Sequence, residues 1–121
     1  MAAPLDPNYR AHLQALGDMF AASVPARMAA IADALAPAGT PPDREQLARL
    51  QAALHTVAGS AGSFGFTVLG EQARRLEQAV RGLMNEHGGN MAGWPELLPQ
   101  IQAYLDWASD NPRATTYLPH D

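Results

Sequence analysis

The stretch that decides the fold is residues 47–61, LARLQAALHTVAGSA, in which apolar side chains recur every three or four positions. The recurring set is Leu47, Leu50, Leu54, Val57 and Ala61. This spacing is that of one face of an α-helix, so we predict a helix with this face buried. Thr40 or Asp43 can cap its start, and the glycines between Gly62 and Gly65 should end it.

Four more helices are predicted on either side by the same spacing. One opens at Asp6-Pro7, a second follows a break at residues 23–25, a later one starts near Thr67, and the last opens at Trp94-Pro95. Residues 37–42 and 86–93 are rich in Gly, Pro or Asn and read as loops. The predicted inward faces are Leu13, Leu16 and Phe20; Met28, Ile31 and Leu35; Val68 or Leu69, Ala73, Leu76, Val80 and Leu83; and Leu98, Ile101 and Leu105.

These helices predict a single all-α domain over residues 1–121. Nothing alternates with a period of two for the length of a strand, and Ala and Leu dominate the chain. Short connections favour antiparallel neighbours, so the expected architecture is an up-and-down antiparallel four-helix bundle with an additional N-terminal helix. Its core should span residues 7–109, and residues 110–121 should form a loose C-terminal tail.

Composition narrows the function classes. The chain has no cysteine, which excludes disulfides and thiolate metal sites. Its formal net charge is -4 and its eight basic residues are all arginine, which argues against a nucleic-acid partner. No targeting segment and no membrane span are visible, so we expect a soluble cytoplasmic protein.

His55 lies off the centre of the buried face, about 100° round the helix from Leu54. Taken alone, it would be an ordinary polar residue of a helix. Its own face is formed mainly by small residues, where a surface helix usually carries long charged side chains. A partner protein would therefore dock on a shallow surface formed by Ala48, Gln51, Ala52, Ala58, Gly59 and Gly62.

Gly59 also stands inside the predicted helix, where glycine costs about 1 kcal/mol relative to alanine. Such a glycine usually has a packing reason or an approach reason. Gly59 and Gly62 let two helices of this chain pack closely, or fray the end of the helix, or let another protein come near His55. The sequence leaves these explanations open.

Three charged residues of the following predicted helix share one face, namely Arg74, Glu77 and Arg81. If the chain turns near Phe66, Glu77 is level with His55, because both lie 11 positions from the turn. A carboxylate that accepts the Nδ1 proton would fix the histidine tautomer and leave Nε2 free to attack phosphorus. The arginines would then stabilise a phosphoryl group. Alternatively, the three residues form a solvated surface with internal ion pairs.

Residues 54–65, LHTVAGSAGSFG, resemble the signature of histidine phosphotransfer (HPt) domains, which is His-x-x-Lys-Gly-Ser/Ala-small-x-x-apolar-Gly. The similarity extends to residues 20–35 and to residues 73–77, ARRLE, and covers roughly residues 13–107. The signature positions that match are His55, Gly59, Ser60, Ala61, Phe64 and Gly65.

The resemblance implies that His55 accepts a phosphoryl group on Nε2 from the aspartate of a receiver domain and passes it to another receiver. Glu77 lies where chemotaxis-kinase phosphotransfer domains place a carboxylate bonded to the histidine. The implied partners are response-regulator receiver domains and a hybrid sensor histidine kinase. The chain would be a monomeric relay intermediate without kinase activity, and it would need no cofactor, because Mg²⁺ is expected in the receiver.

Ala58 departs from the signature, because the family usually has lysine there. Arg74 is the first candidate to supply the missing cation, and Arg81 the second. The departure also leaves an alternative, an HPt-fold module that binds or sequesters a receiver or kinase without efficient transfer.

Two other classes of protein are less consistent with the sequence. A metal or hydrolytic site has little support, because His12, His87 and His120 are widely separated and no His-Glu-x-x-His motif exists. A helical adaptor would bind through exposed aromatic residues such as Trp94, Tyr104 and Trp107. More often, such aromatic residues anchor a terminal helix to its own bundle.

Overall fold

The computed structural model describes residues 7–35, 42–85 and 93–117, which contain four α-helices and no strand. The helices are α1 (Pro7–Ala34), α2 (Arg44–Ser63), α3 (Thr67–Met84) and α4 (Trp94–Asp110). The α2–α3 pair makes the most extensive contact, and α1 packs on both α2 and α4, while α4 also packs on α3. Each helix thus has two neighbours around one core, and the predicted all-α helical bundle is confirmed. The predicted loops at residues 37–42 and 86–93 lie almost wholly outside the described residues.

The helix α1 is continuous through Pro25, so the predicted break at residues 23–25, and the additional N-terminal helix that it implied, are wrong. Proline removes one backbone N–H and crowds the preceding turn, which usually ends or kinks a helix. Here the side chains on both sides of Pro25 belong to one buried stripe, Phe20, Val24, Met28 and Ile31. Burial of this stripe offsets the cost of the proline. Leu13, expected to face inward, is 48% exposed. It lies in the first part of α1, where residues 8–15 are all exposed.

The inward faces predicted for α2 and α3 are confirmed. Leu47, Leu50, Leu54, Val57 and Ala61 of α2 are buried, as are Leu69, Ala73, Leu76, Val80 and Leu83 of α3. Asp43 caps α2, because its Oδ1 accepts the backbone N–H of Gln46 at 2.7 Å and Gln46 Oε1 accepts the N–H of Asp43 at 2.9 Å. Between the helices, Gly65 adopts a φ of +86°, which favours glycine and lets the chain reverse within three residues.

The inward face of α4 differs from the predicted one. Ile101 is buried, but Leu98 and Leu105 are only partly buried. The structure buries a face rotated toward the aromatic residues, Trp94, Leu97, Ile101, Tyr104, Trp107 and Ala108. The Tyr104 hydroxyl donates to the Leu69 carbonyl at 2.9 Å, and burial raises the pKa of this phenol far above its usual value. These aromatic residues therefore anchor α4 to the bundle and do not form the exposed surface that an adaptor would need.

Within residues 111–117, which belong to the predicted loose tail, Arg113 and Tyr117 contact the bundle. Arg113 Nη2 lies 2.6 Å from Asp18 Oδ1 of α1, and its guanidinium lies over the Phe66 ring, 5.4 Å from the ring centroid. The Tyr117 ring meets the Trp107 ring edge-on at 5.0 Å. Residues 118–121 lie outside the described residues. No helix in the described part of the chain is both long enough and apolar enough to cross a bilayer.

Candidate functional site

His55 stands in the middle of α2, at the edge of the buried face that turns toward α3, and its side chain is 66% exposed. Four of the small residues predicted to surround it, Ala48, Ala52, Gly59 and Gly62, are exposed. Gln51 is half-buried. Ala58 is only 7% exposed, so it offers little of the contact surface that the sequence assigned to it. The physical reason is that Ala58 lies on the α3 side of α2, in the tightest helix contact of the bundle.

Glu77 of α3 reaches His55 from the neighbouring helix. Its Oε1 and Oε2 lie 2.9 and 3.1 Å from His55 Nδ1. The Glu77 side chain is only 7% exposed, and it is the one charged side chain that is buried among the described residues. A buried carboxylate needs donors or cations around it, and His55 Nδ1 is its shortest contact. The other ring nitrogen, Nε2, has no hydrogen-bond partner in the described part of the chain.

Two further side chains contact the same carboxylate. Gln51 Nε2 donates to Glu77 Oε1 at 3.3 Å, and Arg81 Nη2 lies 3.4 Å from that oxygen. The sequence predicts Gln51 on the docking surface and Arg81 at the phosphoryl group, and it does not predict their contacts with Glu77. One signal was available, because a turn near Phe66 puts Gln51 level with Arg81, one helical turn from His55 and Glu77.

A shallow groove of about 230 Å³ lies between α2 and α3 beside His55. Arg74 lines it and is exposed, and within the described residues it makes no hydrogen bond or ion pair. The structure therefore separates the two candidate cations, since Arg81 is engaged with Glu77 and Arg74 is not. The lining residues are His55, Ala58, Gly59, Arg74, Glu77, Gln78 and Arg81.

Packing within the described part of the chain does not explain the glycines of α2. A Cβ built on Gly59 or on Gly62 would meet nothing within 4 Å. The glycine that allows close packing is Gly70 of α3, where an added Cβ would lie 3.2 Å from Ala61 Cβ and 3.3 Å from the Ala58 carbonyl oxygen. Sequence reasoning missed Gly70, although it follows the buried Leu69 on the inward side of α3.

Among the described residues, no three His, Asp or Glu side chains are grouped as a metal site would require. His12 is an exposed residue of α1, and His87 and His120 lie outside the described residues.

Comparison with known proteins identifies the family. The family model of the Hpt domain matches residues 15–110, which is most of the chain. No curated protein and no solved structure gives a significant match. The chain therefore belongs to the Hpt domain family, whose members are phosphotransfer intermediates of two-component signalling.

Proposed function

We propose that His55 is the phosphoacceptor through which this chain relays a phosphoryl group from one receiver-domain aspartate to another. The observation that carries the proposal is the bond between Nδ1 of the exposed His55 and the buried Glu77 carboxylate. An ionised carboxylate only accepts hydrogen bonds, so this contact favours the tautomer with the proton on Nδ1. The lone pair is then on Nε2, the nitrogen that has no partner in the described part of the chain.

In this mechanism the Nδ1 proton does not move. Nε2 attacks the phosphorus of the aspartyl phosphate, the N–P bond forms, the P–O bond breaks, and the aspartate leaves with the electron pair. The phosphorylated ring is then cationic, and the Glu77 carboxylate beside Nδ1 stabilises that charge. In the second transfer the next aspartate attacks phosphorus, and neutral imidazole leaves with its proton still on Nδ1. The Mg²⁺ that the reaction requires is expected in the receiver.

Arg74 is the cation that we assign to the phosphoryl group. The family position usually held by lysine is Ala58, which carries no charge, and Arg74 lines the same groove from α3. Its guanidinium is free of other partners within the described residues, whereas Arg81 is paired with Glu77. Arg81 is the second candidate, because it lines the same groove.

The docking face that we propose is the exposed small-residue surface around His55, formed by Ala48, Ala52, Gly59 and Gly62. Small side chains let a partner's active site approach Nε2 closely. The proposed partners are response-regulator receiver domains and a hybrid sensor histidine kinase. By the same family resemblance, the chain is proposed to act as a monomer in the cytoplasm, without kinase activity of its own.

The test uses receiver domains of the same organism, labelled with ³²P by their kinases in the presence of Mg²⁺. Wild-type chain should acquire an acid-labile, alkali-stable label, and His55→Ala should acquire none. His12→Ala is the matched control, because His12 is another exposed helix histidine, and it should be labelled like wild type. Label that persists in His55→Ala, or its absence from wild type with every receiver, would refute the proposal. A wild-type chain that binds receivers without label would instead be the sequestering module.

A further inference from the structure

We infer that Gln51 is a positioning residue, whose side-chain amide holds the Glu77 carboxylate in the orientation that keeps the proton on Nδ1 of His55. The inference rests on the proposed function and adds to the same site a residue that the family signature does not contain.

The starting point is the way in which His55 meets Glu77. Nδ1 lies at nearly equal distances from the two carboxylate oxygens, 2.9 and 3.1 Å. The last torsion of a glutamate side chain is broad, so the packed stem of Glu77 does not by itself fix the plane of the carboxylate. The histidine cannot fix this plane alone either, because its ring is mostly exposed and turns with its own torsions. Another donor must hold the carboxylate in place.

Two other donors are present, and they differ in how firmly they are held. Arg81 is 56% exposed and lies four residues after Glu77 on the same helix, an arrangement that contributes little rigidity in water. Gln51 is half-buried and reaches Glu77 from α2, the helix that carries His55. The Gln51 amide therefore ties the carboxylate to the helix that presents the histidine. It is also neutral, so it adds no charge to the groove.

This role differs from the contact with a partner that the sequence suggested for Gln51. A docking residue acts only when a protein partner is present. A residue that orients Glu77 changes the histidine itself, before any partner arrives. Loss of the Gln51 donor should let the carboxylate rotate, so that a larger fraction of His55 carries its proton on Nε2. A protonated Nε2 has no lone pair with which to attack phosphorus.

The test compares Gln51→Met with Gln51→Lys. Methionine keeps the length and helix propensity of glutamine without a donor, whereas lysine supplies a donor to Glu77. The first measurement is the ¹⁵N spectrum of the His55 ring in the unphosphorylated protein, which reports the tautomer. The second is the rate at which phosphoramidate, a small donor without a docking surface, labels His55. Gln102→Met, an exposed α4 variant, is the control.

Gln51→Met should shift the ring toward the Nε2–H tautomer and slow phosphoramidate labelling about three- to tenfold, the rate equivalent of one neutral hydrogen bond. Gln51→Lys and Gln102→Met should keep the Nδ1–H tautomer. Two results would overturn the inference, namely identical behaviour of the two Gln51 variants, or a Gln51→Met variant slowed only with receiver proteins. If wild type is never labelled, the proposed function fails, but the ring spectra still decide the role of Gln51.

Discussion

Glycines lie on two different surfaces of the α2–α3 hairpin, and their surroundings differ. On the inner surface, Gly70 lies where a single added carbon would press on Ala61 and on the backbone of Ala58. On the outer surface, Gly59 and Gly62 face open space, although each is in the same helix as His55. All three positions carry the helix cost of glycine, about 1 kcal/mol relative to alanine. Only at Gly70 does the fold itself account for that cost.

The difference teaches how the fold and the site are connected. Gly70 and Glu77 are seven residues apart, so they lie on the same side of α3. The close approach at Gly70 is therefore made on the side of α3 that also carries Glu77 toward His55. The exposed glycines meet no neighbour in the described part of the chain, so they do not set this approach. This separation predicts that substitutions on the inner surface alter stability, and that those on the outer surface alter transfer.

The largest effect is expected for Gly70→Leu. The leucine side chain has no room between α2 and α3, and overpacking of this kind typically costs about 1–3 kcal/mol. We expect a value at the upper end, because the backbone of Ala58 is one of the contacts that must give way. Urea denaturation followed by circular dichroism measures the loss. Gly82→Leu is the matched control, because Gly82 is exposed on the same helix with open space around it. Equal midpoints for the two variants would contradict the packing role.

Gly59→Leu should slow transfer without lowering the free energy of unfolding. Its free energy of unfolding should stay constant or rise by up to about 1 kcal/mol, because leucine favours the helix. Transfer from a labelled receiver should slow at least about tenfold, equivalent to roughly 1.4 kcal/mol, because the side chain obstructs approach to Nε2. Gly62→Leu should behave alike. Rapid-quench measurements of transfer, with Gly82→Leu as the control, give the comparison. A folded Gly59→Leu protein that transfers at full speed would refute the proposed docking face.

The smallest effect concerns the hydrogen bond that ties the inner side of α3 to α4, from Tyr104 to the Leu69 carbonyl. Tyr104→Phe should lose about 1 kcal/mol at neutral pH. Because burial raises the pKa of folded Tyr104, unfolding releases a proton once the pH exceeds about 10, the usual pKa of tyrosine. The stabilisation by the protonated Tyr104 phenol is thus fully present below that pH and decreases above it. The variant has no phenol at position 104, so its free energy of unfolding lacks this pH-dependent part.

Urea midpoints between pH 8 and 11 provide the measurement for this prediction. The gap between wild type and Tyr104→Phe should narrow as the pH rises. Tyr9→Phe is the control, because Tyr9 is half exposed. The urea midpoint of this variant should follow that of wild type over the whole pH range. A gap that stays constant over this range would mean that the Tyr104 phenol does not keep its proton in the folded protein.

The residues that sequence reasoning placed correctly share a physical cause. The buried stripes of α2 and α3 repeat every three or four positions without interruption, so periodicity alone identifies both helices and their inward faces. Pro25 misled the prediction, because the local cost of proline is overridden by burial of Val24 and its neighbours, a tertiary effect. The spacing of aliphatic residues predicts the wrong inward face of α4, because burial of the large rings of Trp94 and Trp107 decides which face packs on the core.

The parts of the site that depend on the register of α2 against α3 could be predicted from the sequence. The parts that depend on the distance between the two helices could not. The level of Glu77 beside His55 follows from counting residues on either side of the turn. The contact of Gln51 with the Glu77 carboxylate and the burial of Ala58 depend on how closely two helices approach. Gly70 lies where the two helices come close, and its importance appears only when its neighbours across the interface are known.

The segment after α4 has a consequence for where the folding unit ends. The family match stops at residue 110, yet Tyr117 covers the edge of Trp107 and Arg113 bridges to Asp18 of α1. A protein shortened to residue 110 would keep every residue of the site and lose these contacts of Arg113 and Tyr117. The contacts lie near the α2–α3 turn, about 16 Å along the helix from His55. Substitutions in this segment can therefore change resistance to unfolding without touching any residue of the proposed site.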